Sequence, residues 1–362
     1  MSCPLLMHHQ LQINTHRMSS TPNAFKILII GPAWVGDMVM AQTLFKLLKI
    51  NHPHTQLHVL APPRTQSLLE RMPEITAIIE APFQHGQHLW RKRYDLARTL
   101  RAEHYDQAII LPNSFKSALI PFWAKIPQRT GWVGEWRYGL LNDVRKLNKQ
   151  QFPLMIERFM ALGLKKGELL NRPYPKPALL TSEQSILPTL QRLNLQSPTQ
   201  PLLVLCPGAE FGSSKRWPAE YYAKVANTQL DKGWTVWLLG STKDQPITHE
   251  ITTLTKHRCA NLAGITHLTE AIDLLSLAQA VITNDSGLMH IAAALQRPCI
   301  VLYGSTSPQF TPPLSDRAVT ISLGLSCSPC FQRECPLHHF HCMRDLRPEM
   351  VVEALRTLPA VS

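Results

Sequence analysis

The sequence predicts an α/β protein made of two Rossmann-like domains whose parallel sheets face a central cleft. Three observations carry that expectation. First, seven apolar runs, "FKILII", "QLHVLA", "YDQAIILP", "PLLVLCPG", "TVWLLGS", "AVITNDS" and "CIVLYGS", are mostly continuous rather than alternating. Parallel strands covered on both faces read this way. Second, helical patterns of roughly ten to fifteen residues fit between them, as right-handed βαβ crossovers require. Third, each half opens alike, with a strand, a glycine-bearing loop and a helix: "ILIIGPAWVGD" and "LLVLCPGAEFGSSKRWPAEYYAKVA". Ligands of such sheets lie beyond the carboxyl ends of the strands.

Residues 1–24 are non-periodic and carry neither a charged segment before a long apolar core nor a clear cleavage site. They are expected to be a disordered, non-secretory extension, with Met18 as an alternative start. The first strand follows at Lys26. The α/β pattern weakens between about Leu164 and Pro201, where "NRPYPKPALLTSEQ" reads as a linker and a helix is expected over Ser182–Leu193. The division gives a first domain over 25–180 and a second over 181–362. No apolar run approaches the ~18 residues a membrane-spanning helix needs.

Charge separates the halves. Residues 25–180 hold 22 Lys and Arg against 11 Asp and Glu, while residues 181–362 hold 14 of each. The basic first half suits an anionic partner: nucleic acid, an acidic saccharide or an anionic membrane surface. No recognised nucleic-acid motif is present.

The loop "GPAWVGDM" has the glycine spacing of a phosphate loop, but Asp37 and Met38 stand where Lys and Ser or Thr would follow. A carboxylate repels phosphate, so this loop is a poor nucleotide cradle. Asp37 is either a helix cap or a general base accepting a proton from a substrate hydroxyl. A second turn, "TNDSGLMH", places Asp285, Ser286 and Gly287 where free N–H groups point at an anion, with His290 one turn into the helix. A third, "CPGAEFGSSKRWP", sets Lys215 and Arg216 just before a helix start, a clamp for a diphosphate. After "WLLGS", Asp244 is placed to accept hydrogen bonds from a ribose or base. In the basic half, Arg64, Asn113, Ser114 and Lys116 follow strand ends. The run "PQRTGWVGEWRYGLLN" adds Arg129, Trp132, Trp136 and Arg137 as loop cations among aromatics, suited to anionic sugars.

Of eight cysteines, Cys327, Cys330, Cys335 and Cys342 are clustered as C-x2-C-x4-C-x6-C, with His338, His339 and His341 nearby. Two readings stand: a structural zinc held by the four thiolates, or reduced, unligated thiols.

Taken together, "ILIIGPAWVGDMVMAQTLF", "LPNSFKSAL", "RTGWVGEWRYGLLNDVR", "CPGAEFGSSKRWP" and "ITNDSGLMHIAAAL" closely resemble the ADP-heptose-dependent lipopolysaccharide heptosyltransferases, glycosyltransferase family 9. The resemblance runs from about Phe25 to Leu358. It implies a GT-B fold and an inverting enzyme that needs no catalytic cofactor, since no Asp-x-Asp metal motif is present. The implied reaction moves L-glycero-D-manno-heptose from ADP-heptose to the first heptose of a Kdo-bearing lipid A core; addition of the first or a later heptose is the nearest alternative. A nucleotide-dependent oxidoreductase and a non-catalytic anionic-ligand binder are more remote readings. The resemblance makes Asp37 the base, and puts Lys215, Asp244, Asp285, Ser286, Gly287 and His290 at the donor. The acceptor is assigned to Arg64, Asn113, Ser114, Lys116 and Arg137. It implies a cytoplasmic protein, peripheral on the anionic inner face of the inner membrane, that binds no nucleic acid.

Overall fold

A computed structural model describes residues 14–15, 24–83 and 89–359. The expected disordered extension over residues 1–24 falls almost wholly outside them. Within it, a two-residue strand β1 (Asn14–Thr15) pairs antiparallel with Ala77 and Ile78.

The first sheet continues with β2 (Lys26–Ile30), β3 (Gln56–Ala61), β4 (Ala77–Glu80), β5 (Gln107–Ile110), β6 (Gln128–Trp132) and β7 (Asp143–Arg145). Its order is β1-β4-β3-β2-β5-β6-β7, and all pairs except β1 with β4 are parallel. The crossovers are α1 (Val35–Asn51), α2 (Pro63–Leu69), α3 (Trp90–Arg101) and α4 (Phe115–Trp123). The central strands are buried on both faces, which is why they read as unbroken apolar runs. Leu28, Ile30, Leu60, Ala108 and Ile110 pack with Leu96 and Leu100 of α3 and Ala118 and Ile120 of α4.

Next come α5 (Met155–Met160) and α6 (Glu183–Arg192), the latter starting after Ser182 as the sequence predicts. The second sheet comprises β8 (Leu202–Cys206), β9 (Thr235–Leu238), β10 (Ala260–Asn261), β11 (Ala280–Asn284), β12 (Cys299–Leu302) and β13 (Ala318–Ile321). It runs β10-β9-β8-β11-β12-β13 and is wholly parallel. Its helices are α7 (Ala219–Leu230), α8 (Gln245–Leu254), α9 (Leu268–Ser276) and α10 (Gly287–Ala294), followed by α11 (His341–Arg344) and α12 (Pro348–Thr357). Trp217 and Tyr222 anchor the core of this sheet, both fully buried and meeting edge to face at 4.8 Å.

The chain divides into two compact units. One comprises 1–33, 45–147 and 162–168; the other comprises 34–44, 148–161 and 169–362. The first three turns of α1 thus belong with the second unit, where Gln42 Nε2 donates to the Ala178 carbonyl at 2.7 Å and its Oε1 accepts the Ala178 N–H at 2.9 Å. Among the described residues, no helix is long and apolar enough to cross a membrane.

Candidate active site

The second unit gathers its chemistry where two helices begin. The start of α1 abuts the start of α10. A Cβ placed on Gly36 would lie 2.7 Å from His290 Cδ2, and one on Gly287 would lie 3.1 Å from Val35. Glycine at 36 therefore permits the close approach, and a side chain at 287 would press on Val35. The exposed N–H groups of two helix N-termini make such a place receptive to an anion.

Asp37 sits in the first turn of α1. The helix begins at Val35, earlier than the sequence predicts, so Asp37 lies inside the helix rather than at the capping position. Its side chain is half-buried. Burial pushes its carboxyl up to about 6; Lys215 pulls it down and Asp285 adds to the rise. A carboxyl with that value is ionised at neutral pH and still basic enough to take a proton.

Asp285 follows β11 and is buried. Its Oδ2 accepts from Lys215 Nζ at 2.6 Å and from Thr306 Oγ1 at 2.6 Å. The Lys215 ammonium also lies 4.9 Å from the centre of the Phe211 ring. Ser286 occupies the capping position of α10, with its hydroxyl 3.2 Å from that of Thr283. His290 is buried, and burial pushes it down to about 4, with Asp285 opposing and Lys215 reinforcing the fall. It is neutral at physiological pH. The structure thus brings Asp37, Lys215, Asp285, Ser286, Gly287 and His290 into one neighbourhood.

Asp244 is held differently. Its Oδ2 accepts the Ser241 N–H at 2.9 Å and the Ser241 hydroxyl at 2.7 Å, and it fills the space that side chains on Gly208 and Gly240 would occupy. It shapes the turn after β9.

In the first unit, Arg64 lies in α2 after β3, exposed, while Asn113, Ser114 and Lys116 lie between β5 and the first turn of α4. Arg137 does not match the expectation of an accessible cation. It is 2% exposed, and its guanidinium donates to the carbonyls of Pro112, at 2.7 Å, and Trp132 and to Asn113 Oδ1 at 3.3 Å. Burial pushes it down to about 10, with Glu135 opposing. It fixes the loop that carries Asn113, because free loop carbonyls in the interior need donors. Arg129 likewise points inward, to the carbonyls of Leu140 and Ile126, and Trp132 is buried in β6, leaving Trp136 and Tyr138 as the exposed aromatics of that run.

The zinc expectation finds no support. Among the described residues, no three Cys, His, Asp or Glu side chains are arranged to hold a metal ion. Burial raises the Cys335 thiol, but the N–H groups of Phe340, Leu337, His339 and His338 outweigh it and hold the thiol below its usual range. Cys342 packs onto the apolar core near Gly304. The cysteine-rich segment instead braces the lysine loop. Ser214 donates its N–H to the Arg333 carbonyl at 3.1 Å and its hydroxyl to the Gln332 carbonyl at 2.5 Å, and Phe331 donates to the Ser305 carbonyl at 2.7 Å.

Sequence reading overlooked Thr306, the second donor to Asp285. Its signal was available: "GSTSP" is a further polar turn after a buried strand, β12.

The sequence profile of Glycosyltransferase family 9 (heptosyltransferase) matches residues 93–341. The chain belongs to glycosyltransferase family 9. It is 45% identical over 342 residues to lipopolysaccharide heptosyltransferase 2 of Escherichia coli (strain K12), covering 92% of this chain and 98% of that protein. It is 47% identical over 347 residues to lipooligosaccharide heptosyltransferase 2 of Haemophilus influenzae, covering 92% and 99%. The solved structure of E. coli ADP-heptose lps heptosyltransferase II superposes with a TM-score of 0.82 at 44% identity, over 92% of this chain and 98% of that one. The two Rossmann-like sheets are those of a GT-B glycosyltransferase, and as a family 9 member the chain is a glycosyltransferase.

Proposed function

We propose that this family 9 enzyme transfers L-glycero-D-manno-heptose from ADP-heptose to the first heptose of the lipopolysaccharide inner core, inverting the anomeric centre. The observation that carries the reading is Asp37, a carboxylate of raised basicity beside the Lys215–Asp285 pair at two abutting helix starts. The names of the relatives above supply the substrate class.

In this reading the acceptor hydroxyl gives its proton to Asp37 as its oxygen forms a bond to the anomeric carbon. The bond from that carbon to the diphosphate oxygen breaks, and ADP leaves with the electron pair. Lys215 and the N–H groups at the start of α10 receive the charge developing on the diphosphate. Asp285 and Thr306 hold the ammonium in place. Neutral His290 can donate a hydrogen bond to the donor without adding charge, and Asp244 supports the nucleoside side through its turn. Arg64, Asn113, Ser114 and Lys116 are assigned to the acceptor, with residues 25–180 as the acceptor domain and 181–362 as the donor domain. The enzyme works on the cytoplasmic face of the inner membrane, in peripheral contact with the anionic leaflet.

The test is ADP release by purified protein given ADP-heptose and Kdo-lipid A, with or without the first heptose attached, while mass spectrometry counts the sugars. Release with the mono-heptosylated acceptor alone is expected. Release with the bare Kdo acceptor alone would make this the first transferase instead. Release with neither, from folded protein, would refute the reading.

A further inference from the structure

We propose that the exposed face of α3 and α4 is the surface on which this protein docks to an anionic phospholipid bilayer. The inference rests on the membrane contact proposed above and names the face that makes it.

Helix α3 reads WRKRYDLARTLR. Its inner side, Arg93, Leu96, Ala97 and Leu100, is buried against the first core. Its outer side is unlike that of an ordinary solvent-facing helix. Trp90 and Tyr94, one turn apart, remain 47% and 45% exposed, and Arg91, Arg98 and Arg101 are exposed around them, with Lys92 exposed farther round the helix. Asp95 is the helix's one carboxylate. Helix α4 extends the same surface. Tyr94 meets Trp123 edge to face at 5.7 Å, and Arg101 Nη2 donates to the Trp123 carbonyl at 2.6 Å. Phe122 beside it is 39% exposed.

Where the two helices meet lies a hollow of about 350 Å³, lined by Arg101, Phe122, Trp123, Lys125 and Arg129. Lys125 and the exposed Arg101 flank two aromatic rings there, matching a phosphate headgroup above the first methylenes of its lipid, while Arg129 is held inward by backbone carbonyls. The combination of Trp and Tyr with Arg on one helix face, and Lys125 at the hollow beside it, is the chemistry of the membrane interface, where rings sit at headgroup depth and cations pair with lipid phosphates. Single-stranded nucleic acid fits less well. It needs open aromatic platforms for stacking, whereas Tyr94 and Trp123 are turned edge to face against each other.

The experiment is co-sedimentation of the full chain with vesicles of phosphatidylglycerol and phosphatidylethanolamine, against vesicles of phosphatidylcholine alone. The comparison protein is the fourfold variant Arg91→Glu, Lys92→Glu, Arg98→Glu, Lys125→Glu. Each cation near an anionic surface contributes roughly fivefold to binding. The wild type is expected to partition onto the anionic vesicles alone, weakening with salt, and the variant at least ~10²-fold less. Hydrogen exchange on the unmodified protein should show vesicle-dependent protection over 90–101 and 115–129, a readout that does not depend on the variant folding. ADP release with a water-soluble, de-lipidated acceptor should be the same for both proteins. Equal partitioning of wild type and variant, with no protection of α3 or α4, would overturn this face while leaving the membrane contact standing. No partitioning of the wild type would overturn both. Protection of the face by a single-stranded oligonucleotide but not by vesicles would make it a nucleic-acid surface instead. In each case ADP release reports separately on the transfer reaction.

Discussion

The starts of α1 and α10 use the same parts for opposite ends. Each is a turn after a buried strand, with a glycine that permits close approach and a carboxylate near the helix N-terminus. At α10 the carboxylate is neutralised: Asp285 accepts from both Lys215 and Thr306 at 2.6 Å. At α1, Asp37 has no side-chain hydrogen bond among the described residues, and burial pushes it up to about 6. A helix N-terminus stabilises a carboxylate by about 0.3–1 kcal/mol. The rise from 3.8 to about 6 corresponds to roughly 3 kcal/mol against ionisation. At Asp37 desolvation outweighs the helix, so the group stays basic. A carboxylate that is given a cation becomes scaffold; one denied it keeps the basicity that the role proposed for Asp37 needs.

The sharpest way to break this contrast is Asp37→Asn. Turnover should fall at least ~10²-fold, since the variant cannot accept the proton. Stability should move the other way. The folded-state pKa of Asp37 is raised, so its ionisation costs stability as pH climbs from about 4 through about 6. Asparagine removes that cost. Denaturant unfolding should show the variant more stable than wild type by about 1–3 kcal/mol at pH 7.5, with the gain vanishing near pH 4. Equal loss of activity and stability would mean Asp37 is structural.

Comparable in size is Lys215→Met. It leaves Asp285 buried without its cation and should cost about 3–5 kcal/mol. Asp285→Asn in the same chain should recover most of that stability but not donor binding, read by ADP titration calorimetry. If the double variant is no more stable than Lys215→Met alone, the pair is not coupled.

The smallest effect is on pH dependence. With Asp37 as base, kcat/KM should rise with pH and level off above about 6. Lys215 lowers the Asp37 value, so Lys215→Met should shift the limb upward, while Asp285→Asn should shift it downward. Limbs that fail to move would place the titrating group elsewhere.

The two sheets also differ in how openly they were written. All seven strands read from the sequence exist, because each is covered on both faces and so is mostly apolar. The strands that escaped notice are at or near sheet edges, short or polar: β1, β4, β6, β7, β10 and β13. β6 is the instructive one. "QRTGW" reads as a cationic loop, yet its Arg129 is held by carbonyls of its own surroundings and its Trp132 packs inward. Arg137 misled for the same reason. A guanidinium is a surface cation or an internal brace according to which carbonyls the chain brings to it, and spacing carries no record of those. The cysteine spacing likewise could not show that amides would claim the Cys335 sulfur.

What the sequence determined by itself was the α/β class, the helix starts and the residue types waiting at them. Continuous apolar runs, glycines and capping residues act over a few positions, and their consequences are local. Only the tertiary structure decided which carboxylate would be left basic and which would be ion-paired. Asp37 and Asp285 are 248 positions apart, and their roles follow from which of them Lys215 and Thr306 reach and from how much protein surrounds the other. Desolvation and ion pairing depend on neighbours distant in the chain, so they exist only once the chain has folded.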